Sequence, residues 1–137
     1  MTSEPNLQHL DPGECESLLA AQEIGRLALC NGGYPEIFPV NYAFADGLVV
    51  FRTDPGLKLQ LVERGWVAFE VDGLDPAAKE GWSVVVRGPA HEITAYDAPR
   101  LREKVTGLAL YPWAEGPKDH WVAITPSKVT GRRVRAG

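Results

Sequence analysis

The sequence has few cysteines, no long apolar run and no excess of basic residues, and each absence excludes a class of protein. Its 137 residues include two cysteines, Cys15 and Cys30. These are too few for a disulfide framework, and they lack the CxxC spacing of a metal or redox site, so we expect both to be small buried apolar side chains. Residues 1–8 are polar, and no stretch approaches the roughly 18 consecutive apolar residues of a membrane span. We therefore expect a cytoplasmic protein with no membrane partner.

Basic residues are also in deficit. Lys and Arg number 14 against 18 Asp and Glu, which gives a net charge of -4 and argues against a nucleic-acid partner. The three histidines share no HxxxH spacing, so no metal site is expected. No GxSxG elbow and no GxGxxG loop is present, which argues against a serine hydrolase and a Rossmann domain. Chain length predicts one domain at residues 10–137, preceded by a polar segment at 1–9.

Short apolar runs separated by turn signals predict a mainly β protein with a few short helices. Helices are predicted from Asp11, as the N-cap of a helix with a capping box to Glu14, and at 55–64 and 98–105. A polar loop is expected at 72–81. Strands are predicted at 24–30, 36–44, 48–51, 66–71, 82–94, 120–125 and 128–134. Strands in hairpin succession without βαβ alternation indicate a small antiparallel barrel.

Two features refine this barrel. Residues 48–51 are apolar on both faces of the strand, which indicates a central strand or a strand at a subunit contact. Gly88 and Pro89 interrupt the longest predicted strand, as a bulge or barrel corner would. Arg26 and Glu70 are charged residues within strands, and we expect them to be ion-paired or edge residues and not catalytic ones.

One strand-to-helix junction carries groups that bind anions. Asp54 as N-cap and Pro55 as first helical residue predict a helix start, whose free N–H groups carry positive partial charge. Arg52, the Thr53 hydroxyl and Lys58 would converge there, and a phosphate monoester is the ligand that suits this set. The alternative is an ordinary junction with a solvated Arg and Lys.

Five motifs follow one another in a familiar order. They are Gly-Arg-Leu-Ala at 25–28, Pro-Val-Asn-Tyr at 39–42, Val-Phe-Arg-Thr at 50–53 with Gly56 and Lys58, Val-Ala-Phe-Glu-Val-Asp at 67–72, and Gly-Trp-Ser-Val-Val-Val-Arg-Gly-Pro-Ala at 81–90. Together they resemble the pyridoxamine 5'-phosphate oxidase-like, FMN-binding split-barrel superfamily. Within it, the sequence is most similar to the short actinobacterial branch that includes nitroimidazole-resistance-type flavoproteins. The resemblance runs from about residue 10 to residue 134.

The resemblance implies a six-stranded antiparallel split β-barrel that forms a homodimer, with one FMN at each of two equivalent sites between the subunits. It places the flavin phosphate at the end of the third barrel strand, the flavin ring along the second, and a polar contact from the partner subunit on a later strand. The matching positions are Arg52, Thr53 and Lys58 for the phosphate, Pro39, Val40, Asn41 and Tyr42 for the ring, and Ser83 with Trp82 for the partner contact.

The function implied by the resemblance is that of a flavin-dependent oxidoreductase acting on a small organic substrate. Three alternatives stay open: a non-catalytic flavin-binding, storage or redox-sensing module, a reductase that uses a deazaflavin coenzyme, and a dimeric scaffold with a vestigial pocket. Pyridoxamine phosphate oxidases have a longer basic C-terminal pattern than the arginines at 132–135, which argues against vitamin B6 oxidation. No catalytic residue is assigned, since hydride transfer occurs at the flavin itself.

Overall fold

Strands dominate the computed structural model, which describes residues 6–62, 65–114, 116 and 118–137. Within these residues eight strands and three short helices follow one another. They are β1 (Leu7–His9), α1 (Pro12–Ala21), β2 (Ile24–Asn31), β3 (Tyr34–Ala45), β4 (Leu48–Thr53), α2 (Leu57–Val62), β5 (Trp66–Asp75), β6 (Glu80–Ile93), α3 (Pro99–Thr106), β7 (His120–Ile124) and β8 (Lys128–Val134). None of the described helices is long and apolar enough to span a membrane.

Six of the strands close into an antiparallel barrel. The hydrogen-bonded order is β6, β5, β2, β3, β4, β7, and β7 pairs again with β6, which closes the circuit. Strand β8 pairs with the first half of β6 and β1 pairs with β8, which extends the sheet beyond the barrel. The six-stranded antiparallel barrel expected from the sequence is confirmed.

Strand β6 belongs to both parts of the sheet because it changes partner at the predicted corner. Arg87 pairs with Lys128 of β8, whereas Ala90 pairs with Ile124 of β7. The connection between β7 and β8 crosses β6 at Gly88, where a Cβ atom would overlap the backbone carbonyl of Thr125. Glycine is required here because the two backbones are in contact.

The barrel interior is filled by alternate residues of each strand. The side chains expected to share a face on the second and fifth strands, among them Leu27, Leu29 and Phe69, are buried. Helix α1 covers one end of this core with Leu19, whose backbone carbonyl accepts a hydrogen bond from the Tyr42 hydroxyl.

Strand β4 is buried on both faces by its own chain. Val49 and Phe51 point into the barrel, while Val50 points outward and packs with Val105 of α3 and with Ala123. Of the two interpretations of this apolar strand, the central strand is therefore correct. The outward apolar face is covered by α3 and gives no evidence of a subunit contact.

Helix α1 begins as predicted, whereas its expected capping box does not form. Asp11 is the N-cap, with its Oδ1 accepting a hydrogen bond from the Glu14 N–H at 2.9 Å, and Pro12 is the first helical residue. The Glu14 carboxylate instead contacts Arg133 of β8 at 3.2 Å. It therefore ties the helix to the sheet.

Three further expectations are wrong. The predicted polar loop at 72–81 is a hairpin, since β5 continues to Asp75 and pairs in register with β6 from Glu80 onward. Backbone pairing decides this region, because strand formation depends more on the neighbouring strand than on side-chain polarity. Cys30 is exposed because Leu27 and Leu29 place it on the outer face of β2, while Cys15 is buried as expected. Helix α2 begins at Leu57, not at Pro55, and residues 63 and 64 lie outside the described residues.

Candidate functional site

Arg52 is a structural anchor in this chain. Its guanidinium lies on the outer side of β4, where Nε donates to the backbone carbonyl of Lys118 at 2.8 Å and Nη1 donates to that of Leu110 at 3.0 Å. The guanidinium also lies over the Trp121 ring, 4.9 Å from its centroid. Arg52 therefore ties the chain that follows α3 to β4, and its positive charge is held at the end of that strand.

Thr53 and Asp54 turn the chain at the end of β4. The Thr53 side chain points toward the barrel interior and is 1% exposed, and its hydroxyl donates to the Asp54 carbonyl at 3.2 Å. Asp54 does not cap α2, because the first helical hydrogen bond runs from the Gln60 N–H to the Gly56 carbonyl. Instead its carboxylate accepts a hydrogen bond from the Lys118 ammonium at 3.0 Å, and this contact is the main reason that the pKa of Asp54 is lowered.

Lys58 completes a cluster of charges at this end of the barrel. Its side chain is half-buried, and its ammonium lies 5.4 Å from the centre of the Phe38 ring. Burial lowers the pKa of Lys58, the nearby Asp54 carboxylate opposes this shift, and the Lys118 charge adds to it. Lys58 and Lys118 thus bring two ammonium groups near the Asp54 carboxylate, and Arg52 adds a third cationic side chain at the end of β4.

The predicted ring-binding strand offers both side-chain and backbone groups. Val40 and Tyr42 point into the barrel and are buried, and burial raises the pKa of Tyr42. Pro39 and Asn41 face outward, and the Asn41 Oδ1 accepts a hydrogen bond from the Trp113 N–H at 2.9 Å. Strand β3 pairs with β4 only from Tyr42 onward. Among the described residues the preceding stretch of β3 is therefore paired on one side only, by β2, and its other edge has backbone groups available to a ligand.

Trp82 and Ser83 lie apart from this cluster, in the first half of β6. Ser83 pairs with Asp72 of β5 and with Arg132 of β8, and the Trp82 indole lies against Gly73. Both residues line a groove of about 460 Å³ on the outer face of the sheet, and none of the other seven predicted site residues lines it. Within one chain the structure thus divides the predicted site residues into two groups.

A charged triad on the outer face of the sheet borders the groove. Arg26 contacts Glu70 at 3.5 Å and Asp72 at 3.3 Å, so of the two structural roles expected for Arg26 and Glu70 both residues are ion-paired. Burial, followed by the effect of Asp72, raises the pKa of Glu70 to about 7. The Glu70 Oε1 atom is buried and has no hydrogen-bond partner among the described residues. This carboxyl group is therefore destabilised when it is ionised.

Two residues that were not among the predicted phosphate ligands lie near the charge cluster. Lys118 contacts Asp54, and His120 pairs with Thr53 in the β4–β7 ladder while its ring contacts the Glu92 carboxylate. Lys118 lies just before β7, and His120 is the first residue of that strand. Their positions therefore follow from the pairing of two strands about 65 residues apart in the chain, which no local pattern encodes. Lys118 lies next to Asp54 because β4 pairs with β7 in antiparallel orientation.

Comparisons with known proteins agree with this architecture. Residues 11–133 match the family described as pyridoxamine 5'-phosphate oxidase. An uncharacterised protein of Mycobacterium tuberculosis is 37% identical over 133 residues, which are 93% of this chain and 85% of the relative. The structure of an FAD binding protein from Mycobacterium smegmatis superposes with a TM-score of 0.81 at 34% identity, covering 95% of this chain and 100% of that one. An FAD-binding protein from Mesorhizobium loti gives a TM-score of 0.76 at 26% identity, covering 93% and 98%. The chain belongs to the pyridoxamine 5'-phosphate oxidase family, whose split-barrel fold was expected from the sequence motifs.

Proposed function

We propose that this protein binds a flavin nucleotide and uses it as an oxidoreductase for a small organic substrate. The observation that carries the proposal is the cationic cluster at the end of β4, in a chain whose net charge is -4. A concentration of positive charge against the overall balance of the chain marks a site for an anion. The proposal assigns the flavin phosphate to this cluster.

The residues present fit a flavin nucleotide in two respects. The cationic side chains suit a phosphate, and the edge of β3 at 39–41 suits the hydrogen-bonding edge of a flavin ring, since it lacks a β4 partner. Of the predicted phosphate ligands, Lys58 fits this role better than Arg52, whose N–H groups already donate to two backbone carbonyls. The Thr53 hydroxyl is buried and donates to the Asp54 carbonyl, so a role as ligand would require that bond to break.

The identity of the flavin is the finer part of the proposal. FMN is the cofactor that the sequence motifs imply, whereas two of the related structures bear the name of FAD-binding proteins. We therefore propose FAD as the first cofactor to test and FMN as the second. A deazaflavin coenzyme ranks third, because its polyglutamate tail favours a basic groove and the arginines at 132–135 are the only basic run in the sequence.

When it is bound, the flavin supplies hydride transfer at its ring, and the protein has to bind, orient and shield that ring. The chain offers Lys58 for the phosphate, the backbone at 39–41 for the ring edge, and Trp82 and Ser83 for the opposite side. Because one chain does not bring these groups together, we propose a homodimer in which the flavin lies between subunits. A cytoplasmic location is part of the same proposal.

The test is the visible absorption of the purified protein, followed by release of the cofactor and measurement of its mass. We expect flavin absorption and a released mass of FAD or FMN. A colourless protein that binds neither added flavin nor a deazaflavin contradicts the proposal. Anaerobic mixing with reduced nicotinamide cofactor then separates an enzyme from a storage module, since a storage module does not turn over.

A further inference from the structure

Three hydrogen bonds hold the segment between α3 and β7 against the barrel. The Asn41 Oδ1 accepts a hydrogen bond from the backbone N–H of Trp113 at 2.9 Å. The Arg52 guanidinium donates to the carbonyls of Leu110 and Lys118 at 3.0 and 2.8 Å, one on each side of that bond in the chain. The backbone of Trp113 is therefore fixed next to strand β3.

Trp113 stays exposed in spite of this attachment. It is 71% exposed, whereas Trp121 packs against the apolar cluster between α3 and β4. Burial of a large aromatic side chain stabilises a protein, and an exposed indole gives up that stabilisation. Trp113 is thus held at a fixed place without contributing to the core, as a residue that contacts a ligand would be.

Trp113 borders a cavity of about 490 Å³ on the outer face of the sheet, which we call the Trp113 cavity. This volume lies within the range of about 300 to 1,000 Å³ that is common for sites of small organic ligands. Ile24 and Arg26 of β2 line it, and their partners in the β2–β3 ladder are Asn41 and Pro39. The cavity therefore lies directly beside the two outward-facing positions that are predicted to bind the flavin ring.

The Trp113 cavity also adjoins the groove that Trp82 and Ser83 line. Asp72 lines both spaces, and it pairs with Ser83 in the β5–β6 ladder. Arg26 contacts Asp72 at 3.3 Å, so an ion pair lies where the two spaces meet. The cavity is therefore next to the ring-binding strand on one side and next to the groove on the other.

We propose that the flavin ring occupies the Trp113 cavity with the Trp113 indole against one of its faces, and that Asn41 is a positioning residue that holds Trp113 there. This inference rests on the proposed flavin binding. Both ring systems are planar, so their stacking stabilises the complex. The Asn41 side chain then acts through Trp113 and not by direct contact with the ring, because its Oδ1 already accepts the Trp113 N–H.

The first test titrates FMN and FAD into cofactor-free protein and measures affinity and the fluorescence of the bound flavin. We expect Trp113→Ala to weaken binding about tenfold and Trp113→Phe, which keeps a planar ring, to weaken it less than about threefold. The flavin bound to Trp113→Phe should be brighter, because an indole in contact with a flavin quenches its fluorescence by electron transfer and a phenyl ring does not. Trp66→Phe is the matched control and should change neither quantity, since Trp66 is 63% exposed and lies outside the cavity.

The second test separates positioning from direct contact by a double-mutant cycle. Asn41→Ala should weaken flavin binding about fivefold through the loss of one hydrogen bond to the Trp113 backbone. In a chain that already carries Trp113→Ala, the same change should have no further effect, because residues that act through one another are not additive. Asn41→Asp retains the acceptor oxygen and should restore both the affinity and the quenching.

Additive losses in the double variant would overturn the positioning role, because Asn41 would then bind the ring itself. Equal fluorescence of the flavin bound to Trp113→Phe and to the unchanged protein would overturn the contact with Trp113. Thermal unfolding of each variant checks folding, and Trp113→Phe carries the test if Trp113→Ala does not fold. An unchanged protein that binds no flavin contradicts the proposed function together with this inference, whereas flavin binding that is indifferent to Trp113 contradicts this inference alone.

Discussion

At the scale of single residues, neighbours decide what a basic side chain does. Arg52 and Lys58 both fit a phosphate-binding pattern in the sequence. In the structure Arg52 donates to two backbone carbonyls, whereas Lys58 lies half-buried beside a carboxylate and a second lysine. The type and spacing of the residues cannot separate these cases, because the carbonyls that Arg52 binds belong to a segment about 60 residues further along the chain.

Replacement of Arg52 by Ala should therefore destabilise the fold. The carbonyls of Leu110 and Lys118 would lose a charged donor, which costs about 2 to 3 kcal/mol for hydrogen bonds of this kind. Urea denaturation should show this loss as a lower free energy of unfolding. Arg100→Ala, at an exposed position of α3, is the control and should change stability by less than about 0.5 kcal/mol. If Arg52→Ala is as stable as the unchanged protein, the two carbonyl contacts do not contribute to stability.

Glu70 predicts a pH dependence of stability. Its pKa is raised from 4.5 to about 7 in the folded chain, so the folded state binds a proton that the unfolded state has released. The contribution of this group is fully present below pH 4.5 and is lost as the pH rises through about 7. Partial exposure of the carboxyl group to water reduces its size.

Glu70→Gln removes this titration and should flatten the dependence of the unfolding free energy on pH across that range. Denaturation by urea at a series of pH values measures it. Glu80→Gln, at an exposed position of β6, serves as the control and should keep the slope of the unchanged protein. An unchanged slope in Glu70→Gln would assign the pH dependence to another group.

At the scale of elements, local patterns predicted the strands well and their partners poorly. Alternation placed Leu27, Leu29 and Phe69 on the core side, and Gly88 with Pro89 marked the barrel corner. The local pattern at 72–81 indicates a loop, because its polar and glycine residues lack alternation, and only the pairing with neighbouring strands makes this end of the β5–β6 hairpin regular. The pair of Lys118 and Asp54 was missed for the same reason, since it depends on which strands pair.

The corner in β6 predicts that Gly88→Ala is destabilising. The added methyl group would overlap the Thr125 carbonyl, and backbone atoms on both sides leave little room for relaxation. We expect a loss of about 1 to 3 kcal/mol, as is typical of overpacking. Gly13→Ala is the matched control, because the added atom would make only an ordinary contact near the start of α1. Equal stability of the two variants in urea would mean that the β7–β8 connection shifts at no cost.

At the scale of the whole molecule, the proposed homodimer would bring the two groups of predicted site residues together. Lys58 lies at the end of the barrel near β4, while Trp82 lines the groove beside β8 on the outer face of the sheet. If two subunits form each site, a chain with Lys58→Met and a chain with Trp82→Ala have different defects. In a mixed dimer, one site carries both defects and the other carries none.

Flavin binding should therefore be restored when the two defective chains are mixed, unfolded together and refolded. Random pairing gives mixed dimers for about half of the molecules, with one intact site each, so about a quarter of the sites should recover. Flavin fluorescence titration counts these sites, and sedimentation checks that the refolded chains are dimers. Mixing without unfolding is the control for exchange of subunits. If all groups that hold one flavin came from the same chain, each site in the mixture would keep one defect and no intact site would form. Recovery of intact sites thus distinguishes a site between subunits from a site within one barrel.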